Sequence, residues 1–388
     1  MPASYRDDVI LAPASALRPG EIDRLNRLLH DAGLGRPLRN PADSAAEVAV
    51  LPVDGVDPMV VRDALRRVAS QRGEDLPELT PDFQYAAHTV EDDARQRRAY
   101  YATGKPSGHG LMAWLSAPAY AMPKAPAWRY VRRRPVVALL DTPVEPHAWL
   151  PRHTDDDRFL LDASDWRPVR IQEPAAGEVG SHRGHGTFLA GLIRLRAPDA
   201  RILPVRVMSD NGQVSNCDLV RALEWLVRYN HDHDEHRVDV VCMAFGGRLS
   251  VDGPDPKTLK PALEALRDQR VKIVASAGND GSEQPTSPAV LATDPDLESC
   301  MVSVGARRSP TERAPFSNYG VWVREWGEGS NVISIMPMTI PADDDEMAAD
   351  VDGYAWWSGT SFAAATCAAA LAQPTVTGEP LHAAPAKP

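Results

Sequence analysis

The chain has 388 residues, 43% of them hydrophobic, and its 42 basic and 53 acidic side chains give a formal net charge of −11. That length and apolar content are enough to bury the cores of one large and one smaller domain. The acidic balance argues against nucleic acid or an anionic membrane as the main partner, and no apolar run is long enough to predict a membrane span.

Residues 1–90 predict a small α+β domain. "DVILAP" and "AEVAVLPV" have the pattern of strands, and "ELTPDFQYAAH" closes the unit with a last extended piece. Between them, "GEIDRLNRLLHDAGLG" has its leucines on one helical face. "DPMVVRDALRRVASQRG" opens a second helix, with Asp57 as cap and Pro58 at the first helical position. Two helices among three or four strands suggest a ferredoxin-like sandwich.

Residues 91–130 predict a connector. "EDDARQRRAYYATGKPSGHG" is charged and then glycine-rich, and "SAPAYAMPKAPAWRYVRRR" is basic and interrupted by prolines. Such a segment is longer than most loops inside a compact domain. We expect either an exposed linker or a segment laid across the surface of the next domain.

Residues 131–388 predict an α/β domain. "PVVALLD", "ARILPVRVM", "VDVVCMAFGG", "VKIVASAGN" and "CMVSVGA" are short apolar runs, as expected of strands covered on both faces. Helical patterns such as "SNCDLVRALEWLVRYN" and "DPKTLKPALEALRDQR" lie between them. This alternation predicts a parallel sheet flanked by helices, with working residues where strands end.

The N-terminal stretch predicts no signal peptide. Its first charged side chain is Arg6, and its apolar part is too short for a signal-peptide core. Four cysteines are scattered along the chain: Cys217, Cys242, Cys300 and Cys367. Their spacing is not that of metal ligands, so we expect reduced thiols and a cytoplasmic protein.

Three polar residues stand at element boundaries. Asp141 ends the first strand of the large domain, His185 lies between glycines in "SHRGHGTFLAG", and Ser361 precedes a run of alanines in "SGTSFAAA". Each has an ordinary interpretation alone: a turn residue, a helix-start histidine or metal ligand, and a weak serine motif. Together they supply a nucleophile, a base to take its proton and a carboxylate to orient that base.

Asn279 is a fourth candidate. It lies in a glycine-flanked loop after another buried strand, in "VKIVASAGNDG". Asparagine is common in turns, which gives it an ordinary interpretation. Its functional interpretation is a side-chain amide that donates to the oxyanion of a tetrahedral intermediate.

The order Asp, His, Ser, with "VVALLDT", "GHGTFLAG", "VASAGND" and "SGTSFAAA" in succession, resembles the subtilisin-like serine proteases. The similarity covers about residues 130–372. It implies the subtilisin-like α/β fold and a serine endopeptidase that hydrolyses peptide bonds through an acyl-enzyme at Ser361. It also makes Asp141 the orienting carboxylate, His185 the general acid and base, and Asn279 the oxyanion donor.

The resemblance also implies a substrate cleft. In the family, two segments pair with the backbone of an extended peptide or protein substrate. Carried over to this chain, they are Ala244, Phe245, Gly246, Ser276, Ala277 and Gly278. The ordinary alternative for "MAFGG" is a core strand with a bulge.

Many proteases of this family carry an N-terminal prodomain that helps folding and blocks the cleft with its last strand. Residues 1–90 are similar in size and element order, and in the ending "PDFQYAAH". We therefore expect a zymogen whose own N-terminal domain is an intramolecular inhibitor, with "EDDARQRRAY" as the processing region. A permanently attached structural or partner-binding domain is the alternative.

Four residues depart from the family pattern, which usually has glycine, histidine, proline and histidine in their places: Pro143, Phe188, Ala365 and Thr366. None of them removes a catalytic atom. Pro143 and Phe188, together with the short stretch after the serine helix, motivate one alternative function, a binding or scaffold protein without turnover. A peptide ligase or macrocyclase is another, because aminolysis shares the first half of the reaction with hydrolysis.

The expected reaction needs no cofactor, and we predict no metal site. Calcium often stabilises this family, and acidic clusters stand at 155–157 and 343–345. Neither cluster has a calcium-ligand pattern with glycine at the required turn. Solvated acidic loops are the favoured interpretation.

Overall fold

The computed structural model describes residues 5–41, 48–87, 113–115, 133–151, 159–168, 171, 182–249, 256–337 and 353–373. The strands are β1 (Tyr5–Pro13), β2 (Val48–Pro52), β3 (Thr80–Ala87), β4 (Ala113–Leu115), β5 (Val136–Asp141), β6 (Arg201–Arg206), β7 (Gln213–Ser215), β8 (Val240–Met243), β9 (Phe245–Arg248), β10 (Lys272–Ser276), β11 (Thr286–Ser287), β12 (Met301–Ser309), β13 (Glu312–Arg313), β14 (Glu325–Glu328), β15 (Val332–Ile335) and β16 (Tyr354–Trp357). The α-helices are α1 (Glu21–Asp31), α2 (Pro58–Arg72), α3 (His185–Arg196), α4 (Asn216–Asp232), α5 (Lys260–Asp268) and α6 (Thr360–Leu371). Four short 3-10 helices are Ala14–Ala16, Asp234–His236, Pro256–Leu259 and Ala289–Thr293.

The N-terminal unit is built on three antiparallel strands in the order β2-β1-β3. Its core joins Ile10 and Leu51 of the sheet to Leu25 and Leu29 of α1 and Leu65 of α2. Both helices therefore pack on the same face of the sheet. A fourth strand that would complete a ferredoxin-like sandwich is not among the described residues, so the ferredoxin-like assignment stays a prediction.

Helix α2 begins and ends at the residues that the sequence predicts. Asp57 Oδ1 accepts from the backbone N of Met59 at 2.7 Å, and Pro58 occupies the first helical position. A missing N–H costs nothing at that position, because no residue inside the helix could accept it. Gly73 ends the helix with φ at 64°, a left-handed conformation that glycine adopts without strain.

The main sheet confirms the predicted parallel architecture. Six strands run parallel in the order β6-β5-β8-β10-β12-β14, and the short β13 pairs antiparallel with β12. In β5, Ala138 and Leu140 face a core shared with α4 and α5, whereas Val137 and Leu139 face a second core shared with α3 and α6. Both faces are covered, which explains the continuous apolar runs. No helix of the described ranges has the length and apolar content to span a bilayer.

The N-terminal unit joins the main unit through its last strand. β3 lies between β7 and β9, antiparallel to both, so a sheet continues from β2 through β1 and β3 to β9 and β11. In the predicted connector, the described residues 113–115 form β4, which pairs with β16 immediately before α6. This part of the connector therefore lies on the large domain. That agrees with the second alternative predicted from the sequence, a segment laid across the surface of the next domain. The rest of the connector, including "EDDARQRRAY", lies outside the described residues.

Candidate active site

Asp141 and His185 form a buried pair. Asp141 ends β5 and His185 begins α3, and the Asp141 Oδ1 atom lies 2.7 Å from His185 Nδ1. Neither side chain is exposed, and Asp141 Oδ1 also accepts from Thr142 N at 2.8 Å. A carboxylate beside Nδ1 favours the tautomer with the proton on Nδ1, which leaves Nε2 free to accept a proton.

A close backbone approach fixes the start of α3 against the loop after β5. Thr142 Oγ1 accepts from Gly186 N at 2.9 Å. A Cβ atom at Gly186 would lie 2.4 Å from the carbonyl oxygen of Thr142, so only glycine fits there. The glycine after the histidine thus lets Asp141 and His185 meet.

The rings of Trp357 and Phe362 pack against the imidazole of His185. The ring centroid of His185 lies 5.6 Å from Trp357 and 5.7 Å from Phe362. Phe188 packs behind them, at 4.7 Å from Phe362 and 5.7 Å from Trp357. Phe188 replaces the usual histidine of the family pattern and completes this apolar wall, so the departure has a packing role here.

We expect Phe188→Ala to destabilise the large domain by about 3–5 kcal/mol, because the lost ring leaves a cavity in a fully buried cluster. Thermal unfolding of the full chain measures this loss. Val321→Ala is the control, since that side chain is 96% exposed and should leave the unfolding temperature unchanged. Equal unfolding temperatures of the two variants would contradict the packing role.

Ser361 lies in the first turn of α6, against the centre of the main sheet. The helix is seated closely because its alanines are small: Ala363, Ala364, Ala365, Ala368 and Ala369 are all fully buried. Ser361 is also fully buried, and its Oγ donates to the carbonyl oxygen of Ala244 at 2.7 Å. His185 Nε2 is buried and has no hydrogen-bond partner among the described residues. The structure therefore joins Asp141 to His185, but the bond between His185 and Ser361 is not formed.

Asn279 is held by the residue before the serine. Its Oδ1 accepts from both the backbone N and the Oγ1 of Thr360, each at 2.9 Å. Because a backbone N–H can only donate, this contact fixes which end of the amide faces Thr360. Asn279 Nδ2 is buried and has no partner among the residues described. A buried donor without a partner is costly, and such donors call for an explanation such as a ligand.

The loop that carries Asn279 is fastened by Asn318. Asn318 Oδ1 accepts from the N of Asp280 at 2.9 Å, and its Nδ2 donates to the carbonyl oxygen of Ala277 at 3.0 Å. Gly278 has φ at 105°, and a Cβ atom there would lie 2.4 Å from Asn318 Nδ2. Sequence reasoning missed Asn318 and Thr360 as positioning residues. The only sequence pattern that could have identified them is their position in the segments "FSNYG" and "SGTSF".

The sequence model described as the Subtilase family matches residues 132–377, well over half of the chain. The chain belongs to the subtilase family. Two relatives are similar over part of this subtilase. Serine protease AprX of Bacillus subtilis (strain 168) is 27% identical over 258 residues, which are 60% of this chain and 54% of that protein. Alkaline protease 2 of Aspergillus fumigatus is 29% identical over 168 residues, which are 42% of this chain and 33% of that protein. The chain thus matches about half or less of the length of these relatives.

Two solved structures are also similar to this subtilase. A mutant of the protease domain of PatA is 23% identical with a TM-score of 0.44, over 61% of this chain and 78% of that one. A lanthipeptide protease is 22% identical with a TM-score of 0.46, over 61% of this chain and 72% of that one.

The predicted cleft residues of this subtilase have two different surroundings. Phe245 and Gly246 begin β9 and pair with Ala87 and Ala86 of β3, and Ala244 precedes them. A plain core strand is therefore not a full account of "MAFGG". The second predicted segment makes core and loop contacts: Ser276 pairs with Val304, Ala277 N donates to Val304 O, and Gly278 O accepts from Asn318 N. Its pairing with a substrate stays a prediction.

Within the described residues, this subtilase has no group of three or more His, Cys, Asp or Glu side chains that could hold a metal ion. The acidic clusters at 155–157 and 343–345 lie outside those residues. None of the four cysteines forms a disulfide bond. Burial raises the pKa of the Cys367 thiol to about 12, which keeps it protonated and unreactive at neutral pH.

Proposed function

We propose that this subtilase is a serine endopeptidase in which Ser361 is the nucleophile, His185 the general base and acid, and Asp141 the orienting carboxylate. One observation carries the proposal: a buried imidazole is bonded to a carboxylate at Nδ1 and has an unpartnered Nε2 beside the helix of the serine. An imidazole held in this way has the base atom that a serine hydroxyl needs.

The reaction would begin with rotation of the Ser361 hydroxyl from Ala244 O towards His185 Nε2. Nε2 takes the hydroxyl proton as Oγ attacks the carbonyl carbon of a peptide bond. The oxyanion that forms accepts from Asn279 Nδ2, while the buried carboxylate stabilises the imidazolium. His185 then gives its proton to the leaving amine, and a water molecule releases the acyl group from Ser361 by the same steps. None of these steps involves a metal or redox group.

We further propose that residues 1–90 act as an intramolecular inhibitor in a zymogen. β3 takes the place of a substrate strand, since it lies between β7 and β9, and Ala87 N donates to Gly212 O at 2.7 Å. Asp82 of the same strand accepts from Cys217 N at 3.0 Å, so its carboxylate caps the start of α4. Both contacts anchor the N-terminal unit on the large domain and keep a substrate out of the cleft.

The direct test of the peptidase proposal incubates the full chain and its Ser361→Ala variant with a diverse peptide mixture. Mass spectrometry identifies the products. We expect cleaved peptides, each pair one water heavier than its parent, from the wild type alone. Linear parents converted to products of unchanged or water-depleted mass would instead indicate cyclisation or ligation. No change in any peptide, together with no cleavage of the chain itself, would support the scaffold alternative.

Asn279→Ala should lower kcat by about 100- to 1,000-fold, the size known for the equivalent oxyanion donor of subtilisin rather than one derived from this structure. KM should change little, because the amide acts on charge that develops only in the transition state. Steady-state kinetics on one cleaved peptide measures both constants. Asn279→Asp is the control for shape: it keeps the acceptor for Thr360 but lacks the donor, so it should be equally impaired.

A further inference from the structure

His147 connects the loop after Asp141 to the strand that leads to Ser361. Its ring bonds to the backbone of Gly353, the residue immediately before β16. This bond raises the pKa of the ring, so the partner is the carbonyl oxygen, an acceptor. Gly353 has φ at 70°, and a Cβ atom there would lie 2.9 Å from His147 Nε2. Glycine therefore lets the ring come this close to the start of β16.

The two nitrogens of the His147 ring have different partners. Trp149 N donates to His147 Nδ1 at 3.1 Å. A backbone N–H can only donate, so Nδ1 carries no proton. Nε2 carries the proton and donates it to Gly353 O, which also accepts from Met336 N at 2.7 Å. Both bonds of the ring can therefore exist together only in its neutral form.

The surroundings of the ring favour this neutral form. The side chain of His147 is half-buried, and its ring centroid lies 5.5 Å from that of Tyr354 and 6.4 Å from that of Trp149. Burial lowers the pKa of His147, against the opposing effect of the Gly353 carbonyl. The ring therefore stays neutral in the folded protein at pH values where an exposed histidine already takes up a proton.

Two other titratable side chains stand on the segments that hold His147, in the part of the chain that the structure describes. Glu145, on the same loop, is ion-paired with Arg183 at 3.1 Å. Tyr354 has a phenol, a group that ordinarily titrates at about pH 10. The described strands β4 and β15, which flank β16, carry no titratable side chain. His147 is therefore the group of this set that we expect to titrate near neutral pH.

We propose that His147 is a positioning residue for the nucleophile: its neutral ring fastens the loop of Asp141 to the start of β16, and β16 leads directly into the helix of Ser361. This role rests on the proposed peptidase function. The carboxylate and the serine stand on these two segments, so a loosened contact misplaces reacting groups that the substrate itself does not need for binding. We therefore expect kcat to fall while KM changes little.

The contact depends on pH in a direction that its bonds fix. A proton on Nδ1 would place an N–H group against the N–H group of Trp149, so the ring would lose the bond that fixes its orientation. The folded-state pKa of His147 lies below its unfolded value of about 6.5. The contact is therefore fully present above about pH 6.5 and is lost as the pH falls through the folded-state pKa. We expect this loss to lower kcat about tenfold, the size of one ordinary hydrogen bond.

The catalytic test compares the wild type with His147→Gln on one cleaved peptide between pH 5 and pH 8. The full-length protein is used after any self-processing. The glutamine amide donates to Gly353 but does not titrate, so it imitates the protonated ring. The titration of His185 is common to both proteins and cancels in the ratio of their kcat values. We expect a wild-type to His147→Gln ratio of about ten at pH 8 and about one at pH 5.

His231→Gln is the control for the loss of a histidine. The side chain of His231 is 87% exposed, so the ratio of the wild type to this variant should stay at about one at every pH. A ratio for His147→Gln that is the same at pH 5 and pH 8 would overturn the proposal. So would a variant whose loss appears in KM and leaves kcat unchanged, because a positioning residue acts on the reacting groups.

A second test does not depend on catalysis. In the full-length Ser361→Ala chain, hydrogen exchange of the Trp149 amide reports on its bond to His147 Nδ1. After correction for the intrinsic effect of pH on exchange, its protection should fall about tenfold from pH 8 to pH 5. The Leu150 amide donates to the backbone carbonyl of His147 at 2.9 Å and should keep its protection.

Unchanged protection of the Trp149 amide, or an equal loss at Leu150, would overturn the assignment of His147. If the Trp149 amide responds as expected but no peptide is cut and Ser361 reacts with no fluorophosphonate, the peptidase proposal fails while the pH-dependent contact of His147 stands.

Discussion

An Ala86→Pro substitution is expected to raise the rate at which a fluorophosphonate labels Ser361 in the full-length chain by about 100-fold. Ala86 is the position where β3 pairs with both neighbours, Gly246 of β9 and Gln213 of β7. Proline has no N–H to donate and is excluded from the interior of a sheet. The Ala86 methyl group is exposed, so the substitution breaks the ladder without removing a buried side chain. Leaving the ladder acceptor of the Ala86 N–H group without a donor costs about 1–3 kcal/mol, and the upper end of this range corresponds to the expected factor.

The matched control for the displacement of β3 is Ala86→Ser, which keeps the N–H group and a small exposed side chain. It should label at the wild-type rate, because both ladders stay intact. The measurement is the mass increase of the intact protein over time, taken only on chains whose mass shows no cleavage. Wild-type protein that labels as fast as Ala86→Pro would contradict the inhibitory role of β3.

A larger effect, on kcat, is expected from substitution of the three candidate catalytic residues. In the unblocked Ala86→Pro chain, Ser361→Ala and His185→Ala should each lower kcat by about a million-fold, and Asp141→Ala by about ten-thousand-fold, sizes known from subtilisin. Ser361 and His185 carry out one proton transfer together, so removing both should cost no more than removing either. Asp141 matters less, because an imidazole without its carboxylate partner can still accept a proton.

Ser358→Ala serves as the matched serine control. Ser358 is also buried and lies three residues before Ser361, but its Oγ accepts from Asn331 N at 2.9 Å and takes no part in the proposed reaction. We expect its kcat to stay within about tenfold of the parent, since only the contacts of Ser358 with the Asn331 loop are lost. Hydrolysis of one fluorogenic peptide measures all these variants. More than a hundredth of the parent activity in Ser361→Ala would contradict the assignment of the nucleophile.

Local signals predicted the elements that carry this site. The cap at Asp57 and the glycine at 73 fix the ends of α2 within a few residues, and continuous apolar runs identified five of the six strands of the parallel sheet. The sixth, β14, has the sequence EWGE and no such run. The motifs around Asp141 and His185 placed both residues at element boundaries, where the structure finds them bonded. Those features depend on neighbours in sequence, or on a pattern shared by a family, and so they can be recognised in one chain.

The contacts that hold β3 have no such local signal. Tyr85 and Asn216 are 131 residues apart, and Asp82 and Cys217 are 135 residues apart. In both pairs, the residues adjacent in sequence give no indication of which distant residue is the partner. Phe188 is a similar case: it departs from the family pattern, and only the packing of Trp357 and Phe362 explains it. The state of Ser361 was also beyond prediction, because its hydroxyl donates to the carbonyl oxygen of Ala244, 117 residues away in sequence, and no local pattern marks that acceptor.

Peptide mapping and mass spectrometry of the fluorophosphonate adduct on the Ala86→Pro chain test most directly whether Ser361 is activated by His185. We expect one adduct, on Ser361, that disappears when His185→Ala is added. An adduct on another serine, or equal labelling of Ser361 without the histidine, would contradict it.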